Sequence, residues 1–314
     1  MMRLRQTRNR SGQAMVVCLI AIGFLTAMVG ATSMILLTHS RLATYEQNRL
    51  AAFYLARSGL AKGKQMLLED DPALDTLSDR WHGLDNQGTW DLENGEFGLG
   101  TWSTQPESPG SAIVDEERKL NLNAATPAML RSLSPALTDE IVEQIATRRQ
   151  QRPFASLNEI TGLPDVSPST LRTRVGEEQI PLRDLLTVHG NGKVNVNTAP
   201  YPVIESIEGL SSDQADQIMQ YRRGKDGTIG TQDDRPFESL EAVRSAINLS
   251  DDVWPEVRPF LSVNSTCFTI HSWGRSAADP VASVELREVV RRSSSGLTVL
   301  EFREATGYSP SRGR

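Results

Sequence analysis

The segment that decides the fold is MVVCLIAIGFLTAMVGATSMILL, residues 15–37, within a run without charged side chains from Ser11 to Thr38. This run is long enough to cross a bilayer as a helix, and a helix tolerates its glycines because its backbone hydrogen bonds close internally. The stretch before it holds no acidic residue and has arginines at positions 3, 5, 8 and 10. Since basic flanks stay in the cytoplasm, we expect residues 13–38 to cross the membrane once, with the rest of the chain outside.

The helical pattern continues beyond the apolar run. From His39 to Leu68 apolar residues recur three and four positions apart and proline is absent, which predicts an amphipathic helix over 39–69. The dipeptide Asp70-Asp71 and the proline after it supply the stop. Together the two parts predict one helix of about fifty residues that leaves the membrane.

A cleaved signal peptide is the alternative interpretation of the apolar run. Its cleavage site would be a pattern of small residues, which Ala31-Thr32-Ser33 could supply. However, the run is longer than a usual signal core, and a helical pattern follows it directly. We therefore expect the apolar segment to be retained.

Composition limits the possible functions. The chain has 314 residues, with 33 Lys+Arg and 39 Asp+Glu, so its net charge of -6 argues against binding nucleic acid by phosphate neutralisation. The length allows two domains, or one domain with a large insertion. The four histidines are scattered without ligand spacing, and no nucleophile or phosphate-loop motif occurs, so we expect no enzymatic activity. We expect no disulfide between Cys18, in the apolar run, and Cys267.

The middle of the chain contains an internal repeat. LNLNAATPAMLRSL at 120–133 aligns with VNVNTAPYPVIESI at 194–207, at an offset of 74 residues. We extend this offset to the arginine pairs at 148–149 and 222–223, after which Pro153-Phe154 matches Pro236-Phe237 at an offset of 83. The sequence predicts a helical domain over 120–262 with repeats at about 120–163 and 194–247.

Each repeat resembles a helix-hairpin-helix unit. Such units hold a phosphate on the backbone N–H groups of the hairpin, which requires two glycines for close approach. The second copy keeps Gly209 but has Ser211 at the other glycine position, and the first copy has neither glycine. We therefore expect packing modules that do not bind nucleic acid, with the arginine pairs as charges at helix C-termini. A membrane-anchored DNA receptor remains an alternative.

The extra residues of the second copy form a loop at 224–234. Three glycines and three carboxylates suit a hard cation, which prefers several oxygen ligands. We predict calcium as a cofactor, with Asp226, Asp233 and Asp234 as side-chain ligands; a solvated turn is the alternative.

For Asp115 and Glu116, beside a predicted strand, we expect capping or ion pairing instead of acid–base chemistry.

Strand-like segments lie on both sides of the helical domain, and they can share one sheet only if that domain is an insertion. They occur at 96–104, 111–114, 267–273, 282–291 and 297–303. We predict an α+β fold with a long N-terminal helix on an antiparallel sheet, the sheet domain comprising 70–119 and 263–305. The tail, 306–314, is predicted to be disordered.

The N-terminus resembles those of type IV pilins and pseudopilins, in which a short basic leader ending in glycine precedes an apolar helix. The resemblance implies that a prepilin peptidase removes the leader, residues 1–12, by cutting between Gly12 and Gln13. The family usually has a glutamate at the fifth mature position, where this chain has Val17. A subunit without this glutamate is suited to the filament tip, because the glutamate's usual partner is the N-terminal ammonium of a neighbouring subunit.

Three further stretches, IVDEERKLNLNAA, KVNVNTA and VNSTCFTIHSWGR, are similar to the K-type minor pseudopilin family of type II secretion systems. The resemblance implies a pilin-like fold with an inserted all-α domain, calcium in that domain, and a complex with I-type and J-type minor pseudopilins. It also implies an inner-membrane protein with a periplasmic head at the pseudopilus tip beneath the secretin, and the major pseudopilin as a further partner. At the tip it would initiate and cap assembly. A minor pilin of a type IV pilus is the nearest alternative.

Overall fold

The computed structural model describes residues 10–82, 89–100, 112–229, 233–279 and 282–305. The first nine residues of the predicted leader, the predicted tail and residues 230–232 of the predicted calcium loop lie outside the described residues.

A single helix, α1, runs from Arg10 to Glu69. It contains no proline. The hydroxyls of threonines along it donate hydrogen bonds to backbone carbonyls of the same helix, as Thr26 does to the carbonyl of Ile22 at 3.0 Å. The predicted continuity from the apolar run into the amphipathic segment is confirmed. The helix is exposed from residue 12 through residue 47 and packs on a sheet beyond it.

Within the described residues the sheet contains six strands: β1 Thr89–Leu92, β2 Gly95–Leu99, β3 Ile113–Asp115, β10 Cys267–Ser276, β11 Ser283–Ser293 and β12 Gly296–Ala305. Their order is β1-β2-β10-β11-β12, and β3 pairs with β10 beside this path. The pairings of these strands are antiparallel.

The central strand, β10, follows a long insertion. Its first part pairs with β3, through Phe268 opposite Asp115, and its second part pairs with β2, through Gly274 opposite Phe97. The chain thus leaves the sheet after Asp115 and returns at Cys267. The strands on either side of the helical block share one sheet, as the sequence predicted.

Close contact between α1 and the sheet depends on glycines. A Cβ at Gly274 would overlap the carbonyl of Ala52, and a Cβ at Gly59 would overlap the hydroxyl of Ser272. The Ser272 hydroxyl donates to the carbonyl of Ala56 at 2.9 Å. Because no side chain intervenes at these points, the helix lies directly on β10, and a larger residue would push the two apart.

The inserted segment is built from short helices and two-residue strands around its own hydrophobic core. Its helices are α2 Pro127–Leu133, α3 Asp139–Gln151, α4 Leu182–Leu185, α5 Tyr201–Glu205, α6 Ser212–Arg222, α7 Leu240–Ala246 and α8 Trp254–Val257. Its strands are β4 Leu120–Asn121, β5 Arg174–Val175, β6 Ile180–Pro181, β7 Leu186–Thr187, β8 Val194–Asn195 and β9 Leu261–Ser262.

Each repeat closes on itself through a parallel strand pair. β4 pairs with β7 in the first repeat, and β8 pairs with β9 in the second. The helices that open the repeats, α2 and α5, follow the predicted offset. The repeats extend further than the sequence predicted, since each includes its closing strand near residues 187 and 262.

The second helices do not follow the predicted offset. Thr138 caps α3 by accepting the N–H of Ile141, and Ser211 caps α6 by accepting the N–H of Gln214. These caps differ by 73 positions, so the prediction of a constant offset of 74 through the arginine pairs was wrong. The reason is that the first hairpin is one residue longer.

The two corresponding arginines, Arg149 and Arg222, also differ by 73 positions. Arg149 donates to the carbonyl of Ala125 at 2.6 Å, and Arg222 donates to that of Ala199 at 2.5 Å. They bridge the second helix to the loop before the first, so the interpretation of both pairs as helix-end charges was incomplete. Arg148 does bind its own helix end, donating to the carbonyl of Arg152.

Candidate functional site

The first functional element is the exposed half of α1. Its large apolar side chains from Met15 to Leu37 are all more than half exposed. The most apolar window of the helix has a mean hydropathy of 2.4, and none of that window is buried. This part of α1 is therefore long and apolar enough to span a membrane and contacts nothing in the described chain that would hide it from lipid.

The predicted leader cleavage site lies within the described part of α1. Gly12 and Gln13 are both exposed, so no other described part of the chain covers the bond between them. Val17, at the position of the usual glutamate, is 65% exposed, on the segment available to lipid or neighbouring helices.

The second element is a buried polar cluster where the inserted domain joins the sheet. We call Asp75, Asp115, Glu116, Glu117 and Arg292 the junction network. All five are buried. Asp115 ends β3, and the next two residues form a 3₁₀ turn with Arg118 that leads out of the sheet. Buried charges require partners, so their contacts define how the two domains are held.

Asp115 connects three parts of the chain. It accepts hydrogen bonds from the hydroxyl of Thr198 at 2.5 Å, in the second repeat, and from that of Ser265 at 2.7 Å, just before β10. It also caps the 3₁₀ turn through the N–H of Glu117 at 2.8 Å. Burial raises the pKa of Asp115, while these donors favour its ionised form.

Glu116 is bound by a cation and two hydroxyls. Lys119 Nζ lies 2.8 Å away, and the hydroxyls of Thr187 and Thr269 donate at 2.5 Å each. Burial opposes ionisation, but the Lys119 ammonium and the hydroxyls outweigh it and lower the pKa of Glu116 to about 2. The predicted capping and ion-pairing roles of Asp115 and Glu116 are both confirmed.

Glu117 joins the linker between the repeats to the sheet. It accepts the N–H of Asn191 at 3.0 Å and the hydroxyl of Thr266 at 2.7 Å. Burial, and next the charge of Asp115, raise the pKa of Glu117, while these hydrogen bonds lower it. Each of the three successive acidic residues thus bonds both the inserted domain and the segment that returns to the sheet.

Arg292 completes the junction network from β11. Its Nη2 lies 2.6 Å from both carboxylate oxygens of Asp75, which also accepts the N–H of Ser265 at 2.7 Å. The guanidinium lies over the ring of Phe268 at 4.9 Å. Burial raises the pKa of Asp75, and the Arg292 ion pair opposes that shift. Asp75 converges with Asp70 and Asp79, but Arg292 already supplies a cation to this acidic group.

No sequence signal indicated most of this network, because its members are far apart along the chain. The signal that was present is the N-x-N motif of the second repeat. Asn195 donates to Asp115 at 3.2 Å and to the Ser265 hydroxyl at 2.9 Å, so its side chain enters the cluster. The equivalent residue of the first repeat, Asn121, donates to the carbonyl of His189 instead.

The hairpin residues of the second repeat have structural roles. Gly209 has a φ of 89°, and a Cβ there would lie 2.8 Å from Val257. Ser211 caps α6 in a reciprocal capping box with Gln214. The N–H of Leu210 donates to Ile207, and that of Ser211 donates to Gln214. Because these N–H groups already have partners within the chain, the hairpin is organised for packing.

The predicted calcium loop is partly ordered by its own carboxylates. Asp233 accepts the N–H groups of Lys225 at 2.6 Å and Asp226 at 3.0 Å, and Asp226 accepts the N–H of Thr228 at 2.7 Å. The oxygen-rich donor set suits calcium. However, Asp226, Asp233 and Asp234 do not form one of the compact carboxylate groups found among the described residues. Binding calcium would require them to move closer together.

Comparisons with known proteins agree with this architecture. Residues 120–178 and 194–263 match the family model of protein K of the type II secretion system. The chain is also similar to a chain in the crystal structure of the GspK–GspI–GspJ complex from the type 2 secretion system of enterotoxigenic Escherichia coli. That match has a TM-score of 0.59 at 13% identity and covers 86% of this chain and 100% of that one. No curated protein matches the sequence significantly.

Proposed function

We propose that the chain is a K-type minor pseudopilin of the type II secretion system, a structural subunit and not an enzyme, and that it stands at the tip of the pseudopilus. There it initiates and caps the filament that exports folded proteins across the outer membrane. The observation that carries this proposal is the junction network, which fixes a second domain to the pilin-like sheet.

A head fixed in this way consists of two joined domains, each with its own hydrophobic core. The inserted domain has its own hydrophobic core, and Asp115, Glu116 and Glu117 bind it to the segment that returns to the sheet. Breaking such buried polar contacts costs free energy. This cost opposes any movement of the inserted domain that would let another subunit stack above it. A subunit of this shape fits only the end of a filament, as one copy.

The apolar half of α1 supplies the attachment. In lipid, helices associate through close packing of small residues, and this segment offers Gly23, Ala27 and Ala31 four positions apart. We expect a prepilin peptidase to cut after Gly12, leaving α1 as a single inner-membrane span with its N-terminus in the cytoplasm and the head in the periplasm. Val17 replaces the glutamate that usually pairs with the N-terminal ammonium of a neighbouring subunit. This suits a subunit at the tip, because no further subunit lies above it.

The expected partners follow from this position. The similar chain was solved in a complex with GspI and GspJ, so I-type and J-type minor pseudopilins are the proposed neighbours. The major pseudopilin would follow below them, and the secretin would lie above the tip without direct assembly contact.

The location can be tested on sheared pseudopili. Gold-labelled antibodies against the inserted domain should mark one end of each filament, and a strain lacking this chain should start few filaments. Label distributed along the filament shaft would contradict the proposal.

Calcium is a further part of the proposed function. Asp226, Asp233 and Asp234 would hold the ion together with loop carbonyls, and the bound ion would offset two of their three negative charges and stiffen the loop. The ion has no catalytic role in this proposal.

A further inference from the structure

The edge strand β12 is an unusual surface of the sheet domain. Of the large apolar side chains that are exposed in the described part of the chain, all but four lie on α1. Three of these four are on β12: Val299 at 45% exposure, Leu300 at 36% and Phe302 at 46%. Exposed apolar residues concentrated on one strand of a monomer indicate an interaction surface.

The backbone of β12 is also available. Within the described residues it pairs only with β11, so alternate N–H and C=O groups along its other side point away from the sheet. The opposite edge strand, β1, has four residues and includes Asp91, beside Glu93 in the turn that follows it. A short, charged edge discourages pairing, whereas β12 has ten residues and three exposed apolar ones.

The charges of β12 are already used within the chain. Glu301 lies 2.5 Å from Arg303, 3.5 Å from Arg287 and 3.4 Å from His189. Glu304 pairs with Arg49 of α1. An incoming segment therefore gains little from carrying charge, and an uncharged, apolar strand matches this edge best.

The position of the apolar residues indicates where such a strand comes from. Phe302 is opposite Glu288, which binds Lys64 of α1 at 2.6 Å, and Val299 is opposite Val290, in the core between α1 and the sheet. Both side chains therefore lie on the face of the sheet that carries α1. A subunit whose own α1 packs beside this helix would bring its head to this edge.

We infer that β12 binds an extended apolar strand from the head of a neighbouring minor pseudopilin, continuing the sheet across the two subunits. This inference rests on the proposed function, which supplies the neighbour. The irregularity between Val289 and Val290 places Leu300 in a bulge, so the pairing would use residues 301–305 or 296–299 on either side of it.

The test uses the full chain, tagged and coexpressed with I-type and J-type pseudopilins in membranes, followed by affinity purification in detergent. Val299→Lys and Phe302→Lys place a charge on the edge and should each reduce the recovered partner by about tenfold or more. Leu92→Lys, at an exposed position on the opposite edge strand, is the matched control and should leave recovery unchanged. Phe302→Thr, which keeps strand propensity, should also reduce recovery if the lysine variants unfold.

The outcomes are distinguishable. Unchanged recovery with the β12 variants, or an equal loss with Leu92→Lys, would overturn the edge inference. If the unaltered chain recovers neither pseudopilin, the proposed function fails instead. Recovery of a differently tagged second copy of this chain through β12, or a gain of partner after removal of residues 306–314, would show that another segment occupies the edge and would refute the inference as stated.

Discussion

Asn197 holds the backbone of Phe237 from both sides: its Oδ1 accepts the Phe237 N–H at 2.8 Å, and its Nδ2 donates to the Phe237 carbonyl at 3.1 Å. Asn123 makes the same two bonds to Phe154, at 2.8 and 3.0 Å. Each N-x-N motif thus ties the start of its repeat to the turn after the second helix.

Replacing Asn197 with Asp should destabilise the second repeat. The new carboxylate oxygen would face the Phe237 carbonyl without a proton to donate, and an unmade bond in a buried site costs about 2–3 kcal/mol. Asn123→Asp should act similarly, and Asn158→Asp, at an exposed position, is the control. Thermal unfolding of the full chain in detergent measures the effect; equal midpoints for Asn197→Asp and Asn158→Asp would contradict it.

A methyl group at Gly274 should separate α1 from the sheet. The added Cβ would overlap the Ala52 carbonyl, and overpacking of this kind costs about 1–3 kcal/mol. Gly162→Ala adds the same methyl where nothing lies within 4 Å and should be nearly neutral. Denaturant unfolding should rank the original chain and Gly162→Ala above Gly274→Ala; the reverse order would refute close helix–sheet packing.

The pH dependence of stability should reveal Glu116. Its pKa is lowered from 4.5 to about 2 in the folded chain. A depressed carboxyl pKa stabilises the fold above the unfolded value, here by about 3 kcal/mol, and that stabilisation is lost as the pH falls from 4.5 towards 2. Glu116→Gln should therefore be less stable than the original chain at pH 7, with a difference that narrows at pH 3.

The control for Glu116 is Glu256→Gln, which removes one negative charge at an exposed position. Its unfolding midpoint should follow that of the original chain between pH 7 and pH 3. If Glu116→Gln also follows it across this range, the lowered pKa is not a source of stability.

Gly12→Glu should block removal of the proposed leader. We expect uncut precursor of lower gel mobility in the membrane and loss of secretion, because the residue before the cut no longer fits a peptidase that requires glycine. Gly30→Ala, within the same helix, should be processed normally. A mature chain that begins near residue 34 would instead support the signal-peptide alternative and remove the attachment helix.

The calcium loop can be tested by titration calorimetry. The original chain should release heat on binding calcium and unfold at a higher temperature with calcium than with EDTA, whereas Asp234→Ala should lose both effects. Asp234 is the better choice because Asp233 also orders the loop amides. Asp252→Ala, an exposed carboxylate elsewhere, should retain the binding. Absence of heat in the original chain would end the calcium proposal.

Local patterns predicted much of the fold. The uncharged run and the absence of proline predicted α1, and the strand segments on both sides of the repeats predicted an insertion. The N-x-N spacing predicted the start of each repeat because an asparagine side chain can bond the backbone two residues on, as Asn195 does with the N–H of Asn197.

The register between the second helices of the two repeats, α3 and α6, could not be obtained by aligning identical residues. Two adjacent arginines in each copy align equally well when shifted by one position, and buried apolar positions three and four apart tolerate the same shift. The capping residues Thr138 and Ser211 were the signal that fixes it. Similarly, Leu186-Thr187-Val188 and Leu261-Ser262-Val263 are alike and mark the closing strands, but they are too short to stand out.

The junction network was beyond prediction for a different reason. Asp115 contacts Thr198 and Ser265, which lie 83 and 150 residues further along the chain, and no periodic pattern connects such distant positions. A buried acidic run next to a strand signals a need for partners, but it does not name them.

The return of the chain at β10 sets the order in which the head can mature. Phe268–Ile270 must reach Ile113–Asp115 before β2 and β3 gain their shared neighbour. The inserted repeats are synthesised earlier and contain a hydrophobic core of their own, so they can fold first. The face of α1 that packs on the sheet stays uncovered until β10, β11 and β12 have been added. A chain that ends before β10 would therefore combine a folded inserted domain with an uncovered helix face.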